Sequence, residues 1–426
     1  MTNFPFGFGP GTGGDGDDPN DMSSQMPLFA ELQKLLSWSG GPVNWDLAKQ
    51  LAVSTLAGAG GNSIVGPAER VGVAEAMRLA DLWLDDATDF PSGVTSIESW
   101  SRSEWLDKSI PVWSALCEPV AARVVAAMSN AIPKEQLEAL GAGGALGGIM
   151  QQVGGLMFGA QVGQGLGGLA REVVSSTDIG LPLGPSGVAA LVPANIADFG
   201  SGLERPADEV RLYLALREAA HQRLYAHVPW LRQHVLDTVE AYSRGIDLDM
   251  SAVEEAMRGI DPMNPQGIQD ALSGGLFAPQ ETPEQSVALR RLETLLALVE
   301  GWVDTVVAAA AGDRMPGADA LREASRRRRA GGGPAEQTFA TLVGLELRPR
   351  RLRDAATLWW AVTEKKGTSG RDAVWAHPDL LPTADDLDDP IGFGDRVMSE
   401  SDFVAPDDLS GLDGLSDGPS DGESAG

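Results

Sequence analysis

With 426 residues and 43% apolar content the chain can bury a sizeable core, while its formal net charge of -28 opposes non-specific binding to nucleic acid or anionic lipid, both polyanions. More than half of that charge lies at the ends: residues 385–426 carry thirteen Asp or Glu against Arg396 alone, and residues 1–25 carry four Asp and no cation. Cys117 is the only cysteine, which excludes an intrachain disulfide and a Cys-rich metal site, and the N-terminus lacks the basic start and apolar run of a signal peptide, so a reducing cytoplasm is the expected setting.

Residues 1–26 are rich in Gly, Pro and Asp, with Phe4, Phe6 and Phe8 among small residues, and read as a disordered tail. Gly11, Gly13 and Gly16 match G-x-G-x-x-G, but no strand precedes them and no helix follows, so the spacing lacks the context that binds a nucleotide. From Pro27 the pattern becomes helical: LFAELQKLLSW, then VNWDLAKQLAVSTLAG, then PAERVGVAEAMRLADLWLDD with Pro67 in a first turn. Residues 99–130 continue with SWSRSEWLDKSIPVW and an apolar helical run, whose tryptophans serve as packing anchors.

Residues 139–170 contain no charge, and Gly155, Gly159, Gly163 and Gly167 recur every four positions. A membrane span and a buried helix with a close-packing glycine face both fit such a stretch. Gln151, Gln152, Gln161 and Gln164 would be costly in lipid and no Lys/Arg cluster marks a cytoplasmic side, so a buried helix is expected and no membrane span. Residues 177–199 break the helical pattern with Pro, Gly and short β-branched pieces, and are the place for a small strand or two.

The most informative stretch follows. VRLYLALREAAHQRLYAHVPW, residues 210–230, predicts a helix that starts after Pro206 and stops at Pro229. At 3.6 residues per turn, Val210, Leu214, Arg217, His221, Leu224 and Val228 share one stripe, with Glu218 and Tyr225 beside it. Charged and imidazole groups on a face that should be buried mark an interior site. A second long helix is predicted from about Pro283 to Ala311, and Glu300 falls in its apolar stripe beside Leu296 and Val303. A buried carboxylate needs a cation, a metal or several donors to offset its desolvation. SRRRRAGGG, residues 325–333, reads as a solvated helix end, followed by two amphipathic helices through LWWAV and a terminal turn region. The result is a mainly α fold with at most a small β element: one helical domain over residues 27–398, and a second disordered, acidic tail over residues 399–426.

Glu218-Ala219-Ala220-His221 is the second half of H-E-x-x-H, the helical motif in which two histidines one turn apart bind zinc and the glutamate activates the metal-bound water. Together with SRSEWLDKSIPVW, GLMFGAQVGQGLGGLARE, LVPANIADF, LREAAHQRLYAHVPWL, LALVEGWVDTVV, LVGLELRPRR and LLPTADDLDDP, in that order over roughly residues 65–400, it resembles the actinobacterial zincin-like metallopeptidase type 2 proteins, some of which are tagged as associated with coenzyme F420 biosynthesis. That resemblance implies a zincin-like helical fold with zinc as cofactor, His221 and Glu300 as metal ligands and Glu218 as general base.

Arg217 stands where the first histidine belongs, and a guanidinium has no lone pair to donate to a metal. His227 follows His221 by six residues, as a third metzincin ligand would, but a continuing helix turns it about 120° away. His227 and His234 are therefore expected at the surface or satisfied locally. Two functions follow. One is a catalytically impaired zincin that serves as a structural or interaction protein, with Arg217 substituting its charge for the metal's. The other is an active zinc hydrolase, a peptidase, using Glu218, His221 and Glu300. A protein or peptide partner engaging the Phe-Gly N-terminus or the acidic tail is compatible with both.

Overall fold

Capping chemistry sets where several helices begin. In the computed structural model, which describes residues 40–58, 61, 63–130, 145–245, 282–330 and 351–396, Asn44 Oδ1 accepts from the Leu47 amide and opens helix α1 (Trp45–Gly58). Pro67 opens α2 (Pro67–Leu84), where Glu69 reaches back to the Gly66 amide at 2.6 Å. Strand β1 (Ser96–Ser99) leads into α3 (Arg102–Asn130), which runs on through Pro111 and Pro119. The uncharged segment forms α4 (Ala145–Leu169).

Strand β2 (Val188–Leu191) falls inside the stretch where a strand was expected, and it pairs in parallel with β1 in the register Ser96 to Val188 and Ser99 to Leu191. The sequence did not single out β1, whose SIES has only one apolar residue. Helix α5 (Pro193–Gly200) then turns the chain into α6 (Ala207–His227), the predicted site helix, and Pro229 starts α7 (Pro229–Arg244). Helix α8 (Pro283–Ala311) has the predicted span and a reciprocal cap in which Thr282 and Gln285 satisfy each other's amides. It is followed by α9 (Ala318–Ala330), α10 (Leu352–Ala373), α11 (Ala384–Asp388) and α12 (Pro390–Arg396). The structure is thus mainly helical, with one small two-stranded sheet among the described residues. Both tails, the helix expected over 27–38 and the one expected to begin at Thr338 lie outside the described residues.

Helix α6 is the centre of the packing. Every residue from Tyr213 to Leu224 is buried, because α2, α5, α8, α9 and β2 all pack around it. A helix enclosed on all sides needs no single apolar stripe, which is why its charged residues can be internal. Two polar anchors tie α6 and α8 to the segment that follows α2. Arg223 binds Asp81 of α2, Asp85 just beyond it and the Phe90 carbonyl, and on α8 the Trp302 indole donates at 2.9 Å to Asp372, which also holds Arg371 and accepts from Thr88 Oγ1 and the Asp89 amide. Next to Trp302, a Cβ on Gly301 would lie 2.7 Å from the Ala355 carbonyl carbon, so α10 crosses α8 at close range beside Glu300.

The glycine face of α4 serves the same purpose elsewhere. A Cβ on Gly159 would lie 2.6 Å from the Asn44 carbonyl oxygen, one on Gly163 2.5 Å from that of Ala48, and one on Gly167 2.7 Å from Thr55 Cβ. The four-residue repeat is therefore the contact line for α1, in agreement with the close-packing reading. Among the described residues one helical stretch, Pro283–Arg314, is long and apolar enough to cross a membrane, and 78% of its apolar window is buried inside the protein. Gly163→Leu is expected to destabilise by roughly 1–3 kcal/mol through overpacking against α1. Gly168→Ala, where a Cβ meets nothing within 4 Å, should be neutral or gain up to about 1 kcal/mol. Urea midpoints of the two variants against the parent check the pair.

Candidate functional site

The predicted residues of the two long helices meet. Arg217 Nη2 donates to Glu300 Oε2 at 2.5 Å, and His221 Nε2 lies 3.1 Å from Glu300 Oε1. His221 Nδ1 is 2.8 Å from the Arg217 carbonyl, which can only accept, so Nδ1 carries a proton and Nε2 is the nitrogen turned to the carboxylate. Glu300 is 5% exposed and His221 1% exposed. Burial alone would raise the Glu300 carboxyl, but Arg329, Arg217 and His221 outweigh it and hold the group well below the ordinary carboxylate range. For Arg217 burial acts in the opposite sense, and Glu300 and neighbouring acids still keep the guanidinium above its ordinary value.

Glu218 takes a different course. Its Oε1 accepts from Ser176 Oγ at 2.5 Å, Gln222 Nε2 at 3.0 Å and the Ala190 amide at 3.3 Å. Its Oε2 accepts from Thr177 Oγ1 at 2.6 Å and the Thr177 amide at 3.1 Å. Five uncharged donors thus hold one carboxylate, which ties β2 and the 175–177 segment to α6. Arg217 pairs with Glu300, and Glu218 belongs to this separate network.

The segment after Thr177 covers the Glu300 carboxylate. Gly180 has φ +79°, and a Cβ there would sit 2.9 Å from Glu300 Oε1, so the backbone lies directly on that oxygen. The Tyr225 hydroxyl holds this turn by donating to the Gly180 carbonyl at 2.7 Å. Burial, reinforced by Glu300 and only partly opposed by Arg232, pushes the Tyr225 phenol above its ordinary value and keeps it a donor.

The basic run does not form a solvated helix end. It turns inward on α9: Arg329 pairs with Glu300 and donates to the Asp178 carbonyl, Arg328 binds Asp178 at 2.8 Å and the Glu172 carbonyl, and Arg322 and Arg326 both hold Asp304 Oδ2. Three carboxylates that are largely buried supply the attraction, and a solvent-facing end would have left them unpaired. Sequence reasoning missed Asp178 and Arg329. The one signal available was four consecutive arginines in a chain whose charge is otherwise acidic. His227 stacks on Phe90 with ring centroids 5.7 Å apart and His234 meets Trp230 edge-on, so neither joins Glu300.

Residues 43–393 match the zincin-like metallopeptidase family. The chain belongs to that family. No curated protein matches. A solved structure from Chloroflexus aurantiacus, described as "a putative hydrolase with a novel fold", is similar at 21% identity and a TM-score of 0.57, covering 83% of this chain and 98% of that one, a likeness of fold.

Whether the residues of this zincin-like protein fit the metal of their family is a question of donors. His221 Nε2 and Glu300 Oε1 are about as close as two ligands on one tetrahedral zinc, which would stand roughly 3.3 Å apart. The rest of the set does not fit. Arg217 occupies the position of the first ligand, two guanidinium groups already contact Glu300, and among the described residues no group of three His, Cys, Asp or Glu could hold an ion.

Two outcomes are expected from this geometry. Glu218→Gln should lower stability on the order of 3 kcal/mol, because the new amide faces donors and leaves buried groups unpaired; a freely oriented general base would leave the denaturation midpoint unchanged. Glu300 has a depressed folded-state pKa, so its stabilisation is complete above the unfolded value of 4.5 and is lost as pH falls below it toward the folded value. Glu300→Gln should therefore flatten the acid limb of stability against pH by up to about 1.4 kcal/mol per pH unit, measured as urea midpoints between pH 3 and 6.

Proposed function

We propose that this chain is a zincin-like protein that has exchanged its metal centre for a charge cluster and acts as a structural or interaction module. The observation that carries the reading is the 2.5 Å contact between Arg217 Nη2 and Glu300 Oε2, made from the position where H-E-x-x-H has its first histidine. A fixed guanidinium there neutralises the buried carboxylate as zinc would, and repels a second cation from the same place. Glu218 fits the same account, since a carboxylate whose two oxygens take five donors is held for structure rather than turned toward a water.

The second reading, an active zinc hydrolase with Glu218 as base and His221 and Glu300 as ligands, is favoured by one observation, the 3.1 Å approach of His221 Nε2 to Glu300 Oε1. Metal analysis of the purified protein separates the two. We expect substoichiometric zinc, no peptide hydrolysis on added zinc, and a loss of roughly 3–5 kcal/mol on Arg217→Ala from leaving part of the Glu300 charge uncompensated. Stoichiometric zinc that disappears in His221→Ala would sink the charge-cluster account.

The interaction role calls for a protein or peptide partner, and the parts of the chain suited to recruit one are the Phe-Gly N-terminus and the acidic C-terminus; pull-downs with residues 1–25 or 400–426 removed would locate it. A cytoplasmic setting is in keeping with the lone, buried Cys117, whose thiol is pushed up to about 12 by burial and by the Glu118 charge.

A further inference from the structure

Helix α9 is attached mainly by ion pairs. Its inward face offers little apolar area: Leu321 and Ala324 are its buried apolar side chains, with Ala318 partly packed. What holds it is charge. Arg322 and Arg326 reach Asp304 of α8, Arg328 reaches Asp178 and the Glu172 carbonyl, and Arg329 reaches Glu300 and the Asp178 carbonyl. The four arginine side chains are each between 20% and 29% exposed, so water and salt ions reach every one of these pairs.

The carboxylates beneath do not depend on α9 alone. With α9 lifted away, Glu300 would keep Arg217 and His221, Asp178 would keep the Val174 amide at 3.0 Å, and Asp304 would face solvent with Arg217 still nearby. Release therefore strands no buried charge, which is the usual obstacle to opening an ion-paired interface. The connection into α9 is held at one end, where Met315 is buried and the Gly317 amide is fixed to Glu209 at 2.8 Å, so a detaching α9 turns about that point.

We propose that α9 is a charge-latched clasp: residues 318–330 detach from the body as a unit, pivoting near Gly317, and their release uncovers Asp178 and Glu300 while α6 and α8 stay folded. The proposal concerns the cover over the site and stands whichever way the zinc content resolves. Its distinguishing property is its response to salt. At 1 M ionic strength the screening length falls to ~3 Å, which weakens ion pairs whose arginines are partly exposed, whereas the apolar packing of α6 and α8 does not rely on them. Local opening of this kind lies at the low end of a protein's range of opening energies.

The experiment uses the full chain. Hydrogen exchange is followed by mass spectrometry at 0.1 M and 1 M NaCl, in the parent and in an Arg328→Gln/Arg329→Gln variant. Peptides covering 318–330 should exchange at least 10-fold faster in high salt or in the variant, while those covering 213–224 and 292–307 hold their protection. A second readout is independent of exchange. Ser325 Oγ is buried beside Tyr213, and Cys117 is buried with its thiol held protonated, so Ser325→Cys introduces one reportable thiol. Its reaction with a thiol reagent should accelerate by a similar factor in 1 M salt without reaction at Cys117. Exchange in 318–330 that changes less than twofold with salt overturns the clasp. So does acceleration that appears equally in 213–224, or thiol labelling at Cys117 in step with position 325, because each would mean that α9 opens only with the whole molecule.

Discussion

The interaction on which the site depends is the one that lets Glu300 remain ionised inside the protein. An isolated carboxylate removed from water is so unfavourable that it would take up a proton or force the helices apart. Here Arg217 on α6 and Arg329 on α9 meet one of its oxygens and His221 the other, with the backbone at Gly180 closing over them. Three elements are thus brought together by one negative charge. Arg223 of α6 and, through Asp372, Trp302 of α8 are both tied to the segment that follows α2, on the far side of this contact from α9.

Around Glu300 the charge balance is made by protein groups. Arg217 and Arg329 bring two positive charges to a single carboxylate, as a metal would, but as fixed groups with no open coordination position. Glu218 has an architectural part in the same site. It pins Ser176, Thr177 and Ala190 to the site helix, and so supports the turn that covers Glu300.

The arrangement also separates the permanent from the exchangeable. The pair between Arg217 and Glu300 is enclosed by α6, α8 and the covering turn, where solvent screening has little effect. The arginines of α9 reach the same carboxylates from the solvent side and are partly hydrated. One carboxylate therefore carries an inner cation that stabilises the fold and an outer one that closes it.

The expectation that Arg217, Glu218, His221 and Glu300 share one site came from the family resemblance. The sequence by itself determined the mainly helical fold, the limits of α6 and α8 from Pro206, Pro229 and Pro283, the glycine contact face of α4, and the buried faces that carry Arg217, His221 and Glu300. Those are local or periodic properties, and helical periodicity is enough to place Arg217, His221 and Glu300 on buried faces. Only the tertiary structure decided which acid receives which arginine. Glu218 and Glu300 both lie close to Arg217's stripe, yet β2 and the 175–177 segment supply the donors that claim Glu218 and leave Glu300 for Arg217. The inward turn of the arginine run was likewise invisible. Its partners Asp178 and Glu300 are 150 and 29 residues away from Arg328 and Arg329, and pairings at such separations carry no period in the chain. Strand β1 escaped for a related reason: with one apolar residue in four it is defined by its hydrogen bonds to β2 rather than by any pattern of its own.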